Sequence, residues 1–167
     1  ESESADLKHY EYLGDGSGDP ARSLVEHLAD CMPDSGSIVV WNQSYEGNIN
    51  KGLADLYPAY RDFVLGLNDR LYDLMLIFKN GLYRHPDFHG SASIKYVLPA
   101  LVPSMTYADM SVAHGGQAVS AWNRLVSDDT LLPEKAQLRR DMLDYCKQDT
   151  LAMVEIWRVL QQEITSI

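Results

Sequence analysis

A chain of 167 residues with a hydrophobic fraction of 46% suits one domain with a sizeable core and is too apolar for wholesale disorder. No apolar run approaches the roughly 20 residues that a membrane helix needs, so no membrane partner is expected. The net charge of −10 argues against a broad basic surface that grips nucleic acid nonspecifically, yet leaves open an acidic site in which metal ions supply the positive charge.

In chain order, Leu7 to Leu13 alternates apolar and polar residues and reads as a strand. Gly14 to Gly18 is a turn, and Asp19-Pro20 pairs an N-cap with a proline at the first helical position, opening a helix to about Cys31. Pro33 to Gly36 breaks it. Ser37 to Trp41 is a short apolar strand of the kind found in the centre of a sheet. A helix from Glu46 to about Leu56 follows, entered through a turn at Asn42 with Ser44 as its cap. A second short helix spans Ala59 to Leu67. Arg70 to Asp73 is a strand leading into a helix, and Tyr83 to Gly90 is a loop. Ser91 caps a helix through Leu98, ended by Pro99 and Pro103. Gly115-Gly116 precedes a helix from about Gln117 to Val126. Pro133-Glu134 starts the last and longest helix, ending near Glu163, with Leu138, Met142, Tyr145, Ala152, Met153, Ile156 and Leu160 at helical spacing. Strands alternating with helices make this an α/β pattern in one domain, residues 1–167.

Two places combine into a candidate site. Asn42 and Glu46 lie just past the second strand. Tyr145 and Asp149 are four residues apart and share one face of the last helix. A tyrosine hydroxyl beside a carboxylate orients a water, and carboxylates from separate elements suit divalent magnesium or manganese. Spacing alone is weak, since Tyr83 and Asp87 repeat it in a loop. At Asn42 to Glu46 the bland alternative is a turn with a favourable acid near a helix N-terminus.

These residues resemble the DEDD-type 3′–5′ exonucleases of the Tyr subclass, which have a ribonuclease-H-like fold. Asn42-Gln43-Ser44-Tyr45-Glu46 is similar to their second motif, Tyr145 to Asp149 to their third, and Asp73 to the strand-end Asp between them. Gly90 to Leu101 and Tyr145 to Val154 resemble, more specifically, a bacterial domain family of unknown function often found C-terminal to a RecB-type nuclease segment. The resemblance implies a mixed sheet flanked by helices and metal binding by Glu46 and Asp149. It also implies catalysis by Tyr145, Asp149 and Glu46, a cofactor of Mg or Mn, and a single-stranded DNA or RNA end as substrate. Glu46 stands where that pattern usually has Asp. The first motif, Asp-x-Glu on an early strand, is absent. It is expected upstream of Leu7, in a longer protein of which this is the C-terminal portion, so the chain is expected to be inactive by itself.

Asn42, Ser91 and Lys95 are candidate substrate contacts, Ser91 within a Gly- and Ser-containing loop that permits close phosphate approach. His85, His89 and His114 show no metal-ligand spacing. No nucleophile elbow and no phosphate-binding Gly-rich loop occurs. Cys31 and Cys146 match no zinc pattern and read as two free buried thiols of a reducing cytoplasm. The alternative function is an exonuclease-like domain that has lost catalysis and serves as a nucleic-acid or protein interaction module.

Overall fold

The computed structural model of the protein describes residues 7–165. Helix α1 (Pro20–Cys31) opens on Asp19, whose carboxylate accepts the Ala21 and Arg22 amides at 3.1 and 3.4 Å. Strand β1 (Ile38–Val40) leads into α2 (Gln43–Leu56), then a 3₁₀ turn (Pro58–Tyr60) and α3 (Arg61–Asn68). These carry the chain back to β2 (Leu71–Asp73), which lies parallel to β1 with Ile38 opposite Leu71 and Val40 opposite Asp73. A parallel neighbour needs such a crossover, and here two helices supply it.

Helix α4 (Met75–Lys79) follows directly, then a 3₁₀ turn (Pro86–Phe88), α5 (Ile94–Leu101), α6 (Gly115–Val126) and the 34-residue α7 (Leu132–Thr165). Hydrophobic clusters join the helices, and one of them packs on the β1 segment. Leu74, Phe78, Val97, Leu98, Ala152 and Ile156 join α4, α5 and α7, with Val39 and Trp41 of the β1 segment packed against them. Val25, Leu53, Ala54 and Val64 join α1, α2 and α3.

The chain is mixed α/β but mostly helical, and the described residues form one sheet of two strands. A ribonuclease-H-like sheet is not shown among them: there β1 has one neighbour, β2, where a central strand would have two. Ile38 donates its N–H to the Arg70 carbonyl at 2.8 Å, and the Val40 carbonyl accepts from Leu74 at 3.0 Å. These residues therefore face β2. The alternation turns the N–H and C=O of Val39 to the opposite edge, where no described strand pairs with them.

Five local expectations are corrected. Leu7 to Leu13 is not a strand: alternation alone gives no ladder without a partner, and Leu7 and Tyr10 stay exposed. That segment is tied instead to α7, where Arg139 donates to the Gly14 carbonyl at 3.1 Å and Leu13 packs near Met142. The cap of α2 is Asn42, not Ser44. The cap of α5 is Ser93, not Ser91; its hydroxyl oxygen accepts the Lys95 amide at 3.4 Å. Pro99 lies inside α5 rather than at its end. The turn survives the lost amide because Val97 and Leu98 are wholly buried and Val102 closes on the Leu98 carbonyl at 2.7 Å. Both cysteines are free, but Cys31 is only half-buried and Cys146 is exposed.

Candidate functional site

Asn42 holds a left-handed backbone, φ 98°, directly after the β1 segment. Asparagine tolerates that region because its short amide bonds locally. Its side-chain oxygen accepts the Tyr45 amide at 3.3 Å, and its carbonyl accepts from Tyr45 and Glu46 at 3.1 and 3.3 Å. The bend is fixed from across the sheet. Asp73, at the end of β2, accepts the Asn42 and Gln43 amides at 3.1 and 3.0 Å, and the Met75 amide at 3.1 Å. One carboxylate thus ties the starts of α2 and α4 to the ends of both strands.

The bend sets Glu46 in the first turn of α2, facing a cleft of about 520 Å³. Lys95, at the start of α5, and Tyr145 and Asp149, on α7, line the same cleft. So do Ile38 and Val40 from one face of β1 and Val39 and Trp41 from the other, which places the cleft along the unpaired edge of that strand. Asn42 is occupied as a cap and does not line it. Ser91 lines a neighbouring cleft.

Charge in the cleft is arranged against burial. The Glu46 carboxyl is pushed above the usual range by desolvation. A raised carboxyl favours the protonated, folded state, so its contribution is present in acid and lost as pH rises through the folded pKa. Glu46→Gln should therefore be more stable than the unaltered protein at pH 7 and no more stable at pH 4, as read by urea unfolding at both pH values. Tyr145 is pushed up to about 12, first by burial and then by the charge of Asp149 and a hydrogen bond to it. It stays protonated at neutral pH and acts as a donor.

Sequence reasoning missed Tyr107. It comes from the loop between α5 and α6, is buried, and donates its hydroxyl to Asp149 Oδ1 at 2.7 Å. Burial, then the bond to Asp149, raises its own pKa. Its ring meets that of Tyr145 edge-on at 6.3 Å. No periodic signal marks a tyrosine in an irregular loop. Tyr107→Phe should cost about 1 kcal/mol in urea unfolding, the net worth of one hydrogen bond. Asn50 was also missed. It lines the cleft one turn beyond Glu46 and donates to Asn68 Oδ1 at 2.8 Å, while Asn68 donates to the Gly47 carbonyl at 3.2 Å. This amide pair locks α2 onto the end of α3.

A divalent ion takes six or more oxygens, usually with several carboxylates among them. The cleft offers Glu46 and Asp149, and one oxygen of Asp149 already accepts from Tyr107. No group of three or more His, Cys, Asp or Glu side chains gathers to hold a metal ion among the described residues. Those residues do not by themselves make a magnesium or manganese centre. No described helix is long and apolar enough to cross a membrane.

No curated protein and no solved structure matches the chain. A family does match, over residues 1–93, a span that holds Asn42, Glu46 and Asp73 but ends before Lys95, Tyr145 and Asp149. The chain belongs to that family, described as Domain of unknown function (DUF2779).

Proposed function

We propose that the cleft along β1 is part of a metal-dependent 3′–5′ exonuclease site for single-stranded nucleic-acid ends. One observation carries this reading. Glu46, Lys95, Tyr145 and Asp149 come from three distant stretches of sequence and line one cleft. The remaining oxygen donors would sit on a further strand laid along the unpaired edge of β1, where the Val39 peptide groups offer a ladder and the cleft opens. A strand bearing Asp-x-Glu there would stand between Glu46 and Asp149. The ion bound by the completed set, Mg or Mn, would activate water.

The chain's own residues then have defined tasks. Tyr145 donates to the attacking water or to a phosphate oxygen, since its high pKa keeps the proton in place. Tyr107 fixes the carboxylate of Asp149. Lys95 offers a positive charge to the phosphate at the cleft mouth. The free thiols suit a reducing cytoplasm, and an upstream RecB-type nuclease segment is the proposed neighbour. The test is manganese-dependent degradation of end-labelled DNA and RNA single strands by a chain extended upstream through a further strand and by the 167-residue chain. Stepwise 3′ shortening by the extended chain and none by the 167-residue chain is the expected result. The second reading, a module without catalysis, is favoured by the lack of a three-ligand group among the described residues. It takes over if neither protein shortens either strand.

A further inference from the structure

A second cleft, of about 890 Å³, lies beside α4 and the loop that leads to α5. Its lining carries Lys79, Arg84 and His85 and no Asp or Glu. In a chain with 24 acids against 14 lysines and arginines, this is a local reversal of charge. Among the described residues, no carboxylate stands within ion-pair distance of Lys79 or Arg84.

Apart from the exposed Lys79, the donors are held by local hydrogen bonds. Arg84 donates its Nε to the Gly81 carbonyl at 3.2 Å. Gly81 has φ +69°, and a Cβ there would come within 2.8 Å of the guanidinium, so the glycine lets Arg84 lie against the backbone. Its terminal nitrogens are left over. His85 Nδ1 accepts the Asp87 amide at 3.3 Å, so the neutral ring carries its proton on Nε2. The Asp87 carboxylate, 3.7 Å from Nδ1, is the nearby acid, and it is not part of the lining. The Ser91 and Ser93 hydroxyl oxygens accept backbone amides at 3.1 and 3.4 Å, which leaves both O–H groups to donate. Two cationic side chains and several donors without a facing carboxylate in the lining suit anionic oxygens.

The two clefts are neighbours. Ser93 lines this one, and Ile94 and Lys95 line the cleft of Asp149. Trp41 pins the ridge between them, donating its indole N–H to the Ala92 carbonyl at 3.1 Å. We propose that the Lys79–Arg84 groove binds the phosphodiester backbone of a single-stranded nucleic acid and leads its end past Ser93 into the Glu46–Asp149 cleft. The choice of nucleic acid as the anion and the path into the second cleft rest on the exonuclease reading; the binding of anionic oxygens by the groove does not.

Fluorescence anisotropy with labelled 12-nucleotide oligothymidylate and oligouridylate, without metal and across a salt series, tests it. The unaltered protein should bind, more weakly as salt rises. The double variant Lys79→Ala/Arg84→Ala should bind roughly tenfold more weakly at low salt. The slope of log affinity against log salt should flatten by about 1.4, the share of two phosphate contacts on a single strand. Arg158→Ala, at an arginine that lines neither cleft and pairs with Glu155, should leave binding unchanged. Lys79→Gln, at an exposed position, repeats the test should the double variant melt early. Binding that the double variant retains, no binding by the unaltered protein, or displacement by equal amounts of inorganic phosphate each overturns the proposal. Groove-dependent binding without cleavage by any form removes the exonuclease and keeps the groove. Cleavage whose KM ignores the double variant does the reverse.

Discussion

On the exonuclease reading, Asp149→Asn should abolish manganese-dependent shortening of a labelled strand by a chain extended upstream of Glu1, a loss of about 100-fold or more, while the fold survives. The expected size follows from the role. A carboxylate that binds an ion at the reacting phosphate acts where charge develops, and removing one such group commonly costs two or three orders of magnitude. The fold survives because Asn keeps the shape of the side chain and an oxygen that accepts from Tyr107, whose hydroxyl now stands 2.7 Å from Asp149 Oδ1. A second readout separates this role from a structural one. The charge of Asp149 is among the causes that push Tyr145 up to about 12. Its removal lowers that pKa, which ultraviolet titration of tyrosinate in the variant detects. A variant that keeps full metal-dependent activity ends the assignment. One that loses activity with Tyr145 unmoved leaves Asp149 important but not coupled to Tyr145 in the way the structure has it.

The sequence was a good guide where local chemistry decides. Asp19-Pro20 starts α1 as expected, and the apolar spacing of α7 buries Met142, Ala152, Ile156 and Leu160. It failed where the outcome depends on a partner far along the chain. Leu7 to Leu13 alternates like a strand, but alternation describes a surface, and no described strand meets it. Ser91 and Ser93 are chemically equal as caps, and burial of Val97 and Leu98 selects the second. Glu46, Tyr145 and Asp149 were legible as candidates from a strand end, a shared helix face and a family resemblance, and the structure brings the three to one cleft. Tyr107 was not, since its only distinction is a hydroxyl that reaches α7 across 42 positions.

Asp73 is the residue for which resemblance and structure pull apart. As the strand-end acid between two motifs it invites a catalytic reading, yet it does not line the cleft of Glu46 and Asp149. Its oxygens accept three backbone amides, from Asn42, Gln43 and Met75. Amide bonds to a charged acceptor contribute about 1.5 kcal/mol each when sheltered and less when water competes, as it does for the two bonds at Asn42 and Gln43. Asp73→Ala should therefore lose roughly 2–3 kcal/mol, seen as a urea midpoint lower by about 1–2 M. Asp73→Asn, which keeps one oxygen acceptor, should lose about half of that. The strained φ of 98° at Asn42 makes the latch consequential for the site as well. Without Asp73 the first turn of α2 is free to unwind, and Glu46 goes with it. A stable Asp73→Ala variant that has lost all activity would instead place this carboxylate in the chemistry. A destabilised variant whose remaining folded fraction binds and cleaves normally would confine it to the frame.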